Sequence, residues 1–187
     1  MITSASNKNI KNVQALLSKA KERKKQGVFV VEGPKMSFEA PYDWVSAIYM
    51  SESFFNDDRF KEEKKRFLDK TEIVGDSVFK SMSDTQTPQG VLAIVRMPHY
   101  EIDDLFKGDK TELLVLESIQ DPGNLGTMIR TGEGAGVSGI IMNRTTVDIF
   151  NPKTVRSTMG SLYRVPFYIT DDLDRKSTRL NSSHLGI

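Results

Sequence analysis

Cysteine is absent from all 187 residues, which excludes disulfide bonds and thiolate metal sites. Histidine is scarce, and neither His99 nor His184 falls in a pattern typical of metal ligands or of a hydrolytic triad. No apolar run is long enough to span a bilayer. No apolar stretch follows Met1, as it would in a signal peptide. We therefore expect no metal site, no membrane partner and a cytoplasmic location.

Net charge is also nearly absent, because 26 basic side chains face 25 acidic ones. The segment 1–27 departs from this balance, with seven lysines and arginines against a single acid. Apolar residues at helical spacing predict one helix over 7–26, with an apolar stripe of Ile10, Val13, Leu16, Leu17 and Ala20. A charge run is usually a solvated helix face, but this local excess favours a surface that faces phosphates. The candidate RNA contacts are Lys8, Lys11, Lys21, Arg23, Lys24 and Lys25.

The chain is organised around the segment 112–136. A buried strand is predicted over 113–116, and the turn at 121–123 ends it with Asp, Pro and Gly. Asn124 is a good N-cap for the helix that follows. This helix would begin at the carboxyl end of the strand, the edge at which open α/β sheets bind ligands. Its predicted apolar face consists of Leu125, Met128 and Ile129.

Arg130 lies on the same predicted helix, about 150° around the axis from that apolar face. Its side chain should therefore point to solvent or into a cleft, and not into the core. Spacing alone favours a solvated surface arginine. The alternative is a functional side chain near the ligand-binding edge of the sheet.

The pattern of elements predicts two α/β domains. Earlier strands are expected at 28–31, 44–50, 71–74 and 91–95, with helices at 34–40, 51–68 and 76–82, the last capped by Asp76. Later strands are expected at 138–142 and 165–169, on either side of a helix that Asn151 caps. The later order implies parallel pairing in a doubly wound sheet. We assign a first domain to 1–97, a linker to 98–111 and a second domain to 112–173.

A glycine pattern in the second domain needs separate treatment. Residues 134–139 satisfy G-x-G-x-x-G, but a dinucleotide fingerprint follows a strand and opens a helix. This one follows a helix and opens a strand. We expect it to stop the helix, and not to bind a dinucleotide.

Two stretches of the second domain resemble the SpoU/TrmH-type RNA ribose methyltransferases of the SPOUT class. The first is Asn124-x-Gly126-x-x-x-Arg130, and the second is Asn151 to Ser161 followed by Arg164-Val165-Pro166. They lie in family order, which makes the signal specific. The segments 21–39 and 87–93 resemble the substrate-binding domain that precedes the catalytic domain in that family.

The resemblance implies a small α/β RNA-binding domain followed by the first part of a parallel-sheet SPOUT methyltransferase domain. It implies S-adenosylmethionine as donor, a ribose 2′-hydroxyl of ribosomal or transfer RNA as acceptor, and a homodimer. Arg130 would be the catalytic group that activates or orients the hydroxyl, and Asn124 would hold Arg130 or the nucleotide. No donor-binding residue can be transferred, because the later family motifs, which also form the knot, are not found.

The end of the chain is expected to be non-native. Residues 174–187 resemble the translation of a sequencing-library adapter, although their composition would also suit a polar tail. We therefore expect a truncated and inactive fragment that does not bind the donor. We also expect proteolysis within the linker to leave an intact first domain.

Two alternatives stay open at this point. The first is a non-catalytic RNA-binding module that uses the basic helix and the first domain. The second is a nucleotide-binding α/β protein of unrelated chemistry.

Overall fold

The computed structural model describes residues 1–108, 110–171 and 173, which form two β-sheets flanked by helices. The strands are β1 Val28–Glu32, β2 Val45–Ser51, β3 Thr71–Val74, β4 Val91–Arg96, β5 Leu113–Leu116, β6 Gly139–Asn143 and β7 Phe167–Thr170. The helices are α1 Lys8–Ser18, α2 Ala20–Gln26, α3 Pro34–Glu39, α4 Glu52–Asn56, α5 Lys61–Arg66, α6 Asp76–Met82, α7 Pro122–Ala135 and α8 Pro152–Thr158. The described part contains no helix long and apolar enough to cross a membrane.

The first sheet has the order β1-β4-β2-β3. Strand β4 runs antiparallel to β1 and β2, and β3 runs parallel to β2. The carboxyl ends of β1, β2 and β3 therefore share one edge. Helices α1 and α6 cover one face, where Val30, Tyr49 and Leu92 pack against the apolar side chains of both helices.

The predicted single helix over 7–26 is wrong, because α1 and α2 are separated at Lys19. Lys19 has an extended backbone, with φ −125° and ψ 110°. The break leaves the last carbonyl groups of α1 without helical donors. The guanidinium of Arg23 donates to two of them, at 2.8 Å to Leu16 and 3.3 Å to Leu17. Ala20 is exposed and does not continue the predicted stripe.

The predicted charged helix over 51–68 is also divided, into α4 and α5. The break falls at 57–60, and Phe60 has a left-handed backbone with φ 58°. Lys64 was expected on a solvated face, yet it is buried, and its ammonium group donates to the carbonyl of Asp57 at 2.6 Å. Burial lowers the pKa of Lys64. Asp76 is the first residue of α6 and not its cap, because Gly75 holds the cap position.

The predicted linker is packed against the second sheet. Its residues Ile102–Phe106 form a 3-10 helix, and Leu105 is fully buried. A Cβ atom at Gly139 would lie only 2.4 Å from Leu105 Cγ, so the linker and β6 are in close contact. The segment assigned as a linker is therefore folded onto the second sheet.

The second sheet is parallel, in the order β5-β6-β7, as predicted. With this order, right-handed crossovers place α7 and α8 on the same face. The two helices pack closely, since a Cβ at Gly126 would lie 2.5 Å from the Ser157 Cβ. The described part of the sheet is therefore wound on one side, and the expected doubly wound arrangement is not seen in it.

The two sheets share one hydrophobic core. Phe29 of β1 contacts Phe150 of the second domain, with ring centroids 4.8 Å apart. The buried Tyr163 hydroxyl donates to the carbonyl of Met36 in α3 at 2.8 Å. Burial raises the pKa of Tyr163 above its ordinary value. The second domain thus covers part of the face of the first sheet that α1 and α6 leave open, and α3 and α4 of the first domain also pack on that face. The adapter-like tail at 174–187 lies outside the described residues.

Candidate active site and basic surface

The central segment forms the predicted strand, turn and helix, but its cap is Asp121. The Asp121 carboxylate accepts a hydrogen bond from the Asn124 backbone N–H at 2.7 Å, and Pro122 occupies the first helical position. That hydrogen bond is the largest cause of the lowered pKa of Asp121. Asn124 therefore lies in the first turn and is not the N-cap, which leaves its amide side chain free for another role.

Helix α7 packs through two glycines as well as two apolar side chains, the buried set being Leu125, Gly126, Ile129 and Gly132. Met128 was expected in this face but is 36% exposed. Gly126 is required here, because a Cβ would lie 2.5 Å from the Thr154 carbonyl oxygen of α8. The small residue at this position of the family-like motif sets the spacing of the two helices.

Arg130 is exposed, as predicted, and follows Gly126 by one helical turn on the side that faces α8. One turn further along, Glu133 accepts hydrogen bonds from Arg164. Along α7, Arg130 therefore lies between Gly126, which contacts α8, and Glu133, which pairs with Arg164. Ser161, at the end of the turn at 159–161 in the second family-like stretch, also hydrogen-bonds to Glu133.

Arg130 differs from the other arginines of the second domain in its pairing. Arg144 pairs with Asp171 at 2.7 Å, and Arg156 pairs with Asp84 at 3.1 Å. Arg164 pairs with both Glu39 and Glu133. Within residues 110–171, Arg130 alone among the arginines has no carboxylate partner. Its donor fork is therefore available to a ligand.

The structure does not bring Asn124 and Arg130 together. Six residues apart on one helix, they are separated by about 9 Å along the axis and about 120° around it. The described residues show no hydrogen bond between them. The hypothesis that Asn124 orients Arg130 directly is therefore not supported, and contact of Asn124 with a nucleotide stays a prediction.

The basic surface is confined to exposed lysines of α1 and α2. Lys8, Lys11, Lys21, Lys24 and Lys25 are exposed. Arg23, which was predicted as an RNA contact, is only 3% exposed, and its guanidinium donates to Asp148 at 2.7 Å. A buried and paired guanidinium cannot reach a phosphate, so Arg23 is removed from the candidate RNA surface.

Sequence reasoning missed the residues that join the domains. Asp148 lies in a predicted loop, and Glu39 and Asp84 are acids among many of the same type. No local pattern marks them, because each is defined by a partner 72 or more positions away. Tyr163 could have been suspected, since it lies inside the second family-like stretch.

Solved structures share this two-domain architecture. An AdoMet-bound rRNA methyltransferase from Sinorhizobium meliloti matches with a TM-score of 0.82 and 27% identity, over 97% of this chain and 68% of that one. The SpoU methyltransferase AviRb from Streptomyces viridochromogenes, in complex with AdoMet, matches with a TM-score of 0.77 and 23% identity, over 95% and 68%. At the lower identity the likeness shows the fold alone. The chain therefore has the fold of the two-domain SPOUT RNA methyltransferases.

The sequence comparisons identify the family. Residues 112–187 match the SpoU rRNA Methylase family, and residues 7–93 match the MRM3-like substrate binding domain. Residues 112–187 thus form a domain of the SpoU rRNA Methylase family, preceded by an MRM3-like substrate binding domain, which confirms the resemblance.

Curated relatives are longer than this chain. The 23S rRNA (guanosine(2553)-2'-O)-methyltransferase of Bacillus subtilis (strain 168) is 33% identical over 166 residues, which cover 88% of this chain and 63% of that protein. The mitochondrial rRNA methyltransferase 3 of Xenopus laevis is 31% identical over 173 residues, which cover 89% and 41%. The chain therefore spans about two fifths to three fifths of the length of these relatives.

Proposed function

We propose that the protein carrying this chain transfers a methyl group from S-adenosylmethionine to a ribose 2′-hydroxyl of ribosomal or transfer RNA. The observation that carries the proposal is the unpaired guanidinium of Arg130. Arg130 belongs to the family-like motif on α7, whereas the three other arginines of residues 110–171 are occupied by carboxylates.

Arg130 acts on the ribose side of the reaction. A guanidinium stays protonated, with a pKa above about 12, so it is a poor general base. Its planar fork can instead bind the phosphate next to the target ribose through two charge-assisted hydrogen bonds. A positive charge held there stabilises the developing alkoxide and lowers the pKa of the hydroxyl. Asn124, exposed at the start of the same helix, is proposed to contact the nucleotide through its amide.

S-adenosylmethionine, when bound, supplies an electrophilic methyl group on a sulfonium. A cleft of about 500 Å³ at the carboxyl ends of β6 and β7 is large enough for part of such a molecule. Lys24, Arg144 and Asp148 line that cleft, and Asp148 is already paired with Arg23, so its carboxylate is not available to a positively charged sulfonium. We therefore assign none of the described residues to the donor.

The remaining proposals follow from the family and the surface. The exposed lysines of α1 and α2 bind RNA phosphates, and the likeness of residues 7–93 to a substrate binding domain supports this. A homodimer is supported by exposed apolar side chains on the second domain, Val115, Met128, Met159 and Ile169. A cytoplasmic location is supported by the rRNA substrate of the Bacillus relative.

The test is methyl transfer by the full-length protein from radiolabelled S-adenosylmethionine to ribosomal RNA, with the product mapped by its resistance to alkaline cleavage. Arg130→Ala should lower the rate by a factor of about 100 or more, because a positioned electrostatic group is lost. Arg130→Lys should not restore it, because a point charge does not replace a bidentate fork. The control is Arg144→Ala, which removes a neighbouring exposed arginine. Near-normal turnover of Arg130→Ala would return this residue to the solvated surface.

A further inference from the structure

A second cleft lies in the first domain, at the edge where β1, β2 and β3 have their carboxyl ends. Its volume is about 710 Å³. Side chains from several elements line it, including Ser53, Phe60, Asp76, Lys80 and Gln89. This edge is the usual ligand edge of an α/β sheet, and the proposed reaction does not use it.

Two glycines in the family-like stretches of the first domain lie at this cleft, since Gly90 lines it and Gly33 directly precedes the lining residue Pro34. Gly33 has φ 94°, and a Cβ there would lie 2.7 Å from the Gln89 Oε1 atom. Gly90 has φ 83°, and a Cβ there would lie 2.7 Å from the Phe54 Cβ. Both positions have a positive φ that favours glycine, and at Gly90 the close approach of Phe54 also excludes a larger residue. These stretches therefore contribute to the wall of the cleft. The family-like motif of the second domain does not account for this role.

Phe60 supplies an aromatic platform at the rim. Its ring is stacked on Phe54, with centroids 5.9 Å apart, and contacts Phe38 at 5.8 Å. Those two rings are buried, whereas Phe60 is 37% exposed. A non-glycine residue at φ 58° is held in a sparsely populated conformation, which is frequent at ligand-binding positions. The fold therefore fixes an exposed phenyl ring over the cleft.

The polar groups of the cleft are balanced in charge. Asp57 and Asp76 face Arg59 and Lys80. Asp57 is occupied by Arg59, whose Nη2 lies 2.8 Å from its carboxylate. One oxygen of Asp76 accepts hydrogen bonds from the backbone and hydroxyl of Ser53, at 3.1 and 2.8 Å. Ser51 also hydrogen-bonds to the Asp76 carboxylate, whose remaining acceptor capacity is available to a ligand together with the Gln89 amide. Such a neutral site suits a planar heterocycle better than a free phosphate.

We propose that this cleft binds one unstacked nucleobase of the RNA substrate. The base stacks on Phe60 and directs its hydrogen-bonding edge at Asp76 and Gln89, while Lys80 faces the flanking phosphate. RNA is read mainly at unpaired bases that stack on aromatic side chains. The inference deepens the proposed function, since it rests on RNA being the substrate.

The proposal is tested by fluorescence anisotropy with a labelled rRNA hairpin that has an unpaired loop. A fully paired duplex of the same stem serves for comparison. Phe60→Leu, which keeps apolar volume but loses the ring, should weaken binding of the full-length protein to the hairpin about tenfold. Phe60→Trp should keep the affinity. Neither change should alter the salt dependence, because stacking releases no counterions. Binding to the duplex should not respond to either change.

The matched control is Leu68→Ala, which removes another exposed apolar side chain, 56% exposed, outside the cleft. Thermal unfolding of each variant shows that the fold is intact. Equal hairpin affinity of Phe60→Leu and the parent protein would overturn the base-binding cleft while methyl transfer, measured separately, stands. Absence of any RNA binding by the parent protein would overturn the proposed function together with the cleft.

Discussion

Arg23 is the buried cation at the contact of α2 with the second domain. Its guanidinium joins two carbonyls of α1 to the carboxylate of Asp148. Removing one partner of a buried pair leaves the other charge uncompensated. Arg23→Met should therefore lower the free energy of unfolding by about 3 kcal/mol, as measured by urea denaturation.

The neighbouring residue provides the control for this change. Lys24 is exposed on the same helix, so Lys24→Met should change the stability by no more than about 0.5 kcal/mol. Asp148→Asn combined with Arg23→Met should cost less than the sum of the two single changes, because both remove one interaction. Equal effects of Arg23→Met and Lys24→Met would show that Arg23 does not hold the domains together.

The ion pair of Glu133 with Arg164 gives the stability of the protein a pH dependence. The hydrogen bonds from Arg164 are the largest cause of a pKa below the ordinary value of 4.5. The folded state therefore favours the charged form, and the stabilisation is fully present above pH 4.5 and lost as the pH falls through the lowered pKa.

Glu133→Gln should accordingly be less stable than the parent protein at neutral pH, and the difference should shrink in acid. Urea denaturation between about pH 3 and 7 measures it. Glu62→Gln, at an exposed position of α5, is the control and should show no such trend. A difference that stays constant with pH would exclude the ion pair as its cause.

Single residues were predictable where local rules decide their position. Arg130 was placed correctly because helical periodicity alone gives its direction. The prediction that Arg23 is exposed was wrong, because its burial depends on the break at Lys19 and on an acid 125 positions away. Charge and spacing carry no information about such a partner.

At the scale of elements, the basic pair α1 and α2 presents lysines on a surface that we propose faces RNA. Replacing Lys21, Lys24 and Lys25 by alanine should weaken RNA binding and reduce the slope of log affinity against log salt by about one unit per lost phosphate contact. Titrations at several salt concentrations measure this slope. The triple arginine variant, which keeps the charges, should keep it. An unchanged slope in the alanine variant would remove these helices from the RNA surface.

The strands were predicted more accurately than the long helices. All seven strands lie within two residues of the predicted ranges, because short apolar runs between turn residues define them. The helices predicted over 7–26 and 51–68 each contain a break that was not predicted. The first break is stabilised by Arg23 and the second by Lys64, and each cation acts through backbone carbonyls that it reaches only in the folded chain. The parallel pairing followed from element order, whereas the side on which the helices pack did not.

The whole molecule departs most from the expectation of two independent domains. A composition of charges with Pro98 and Gly108 is typical of a linker, yet Leu105 of this segment is fully buried. The first sheet has one face covered by α1 and α6, and the second face is covered jointly by α3 and α4 and by residues of the second domain. Phe29, Phe150 and Tyr163 belong to one cluster there. Part of the apolar core of the first domain is therefore buried against the second domain.

The chain should consequently unfold as one cooperative unit. Trp44, the single tryptophan, lies in the first domain with its ring 6.4 Å from Tyr163 of the second, so its fluorescence reports on the boundary. Fluorescence and far-ultraviolet circular dichroism should give coincident urea transitions.

Residues 1–97 expressed alone should expose Phe29 and its neighbours, bind a hydrophobic dye and lack a cooperative transition, since the apolar face loses its cover. Limited proteolysis of the chain should therefore release no stable first domain. Two separate transitions, or a well-folded 1–97 fragment, would show that the shared core contributes little and that the linker interpretation was right.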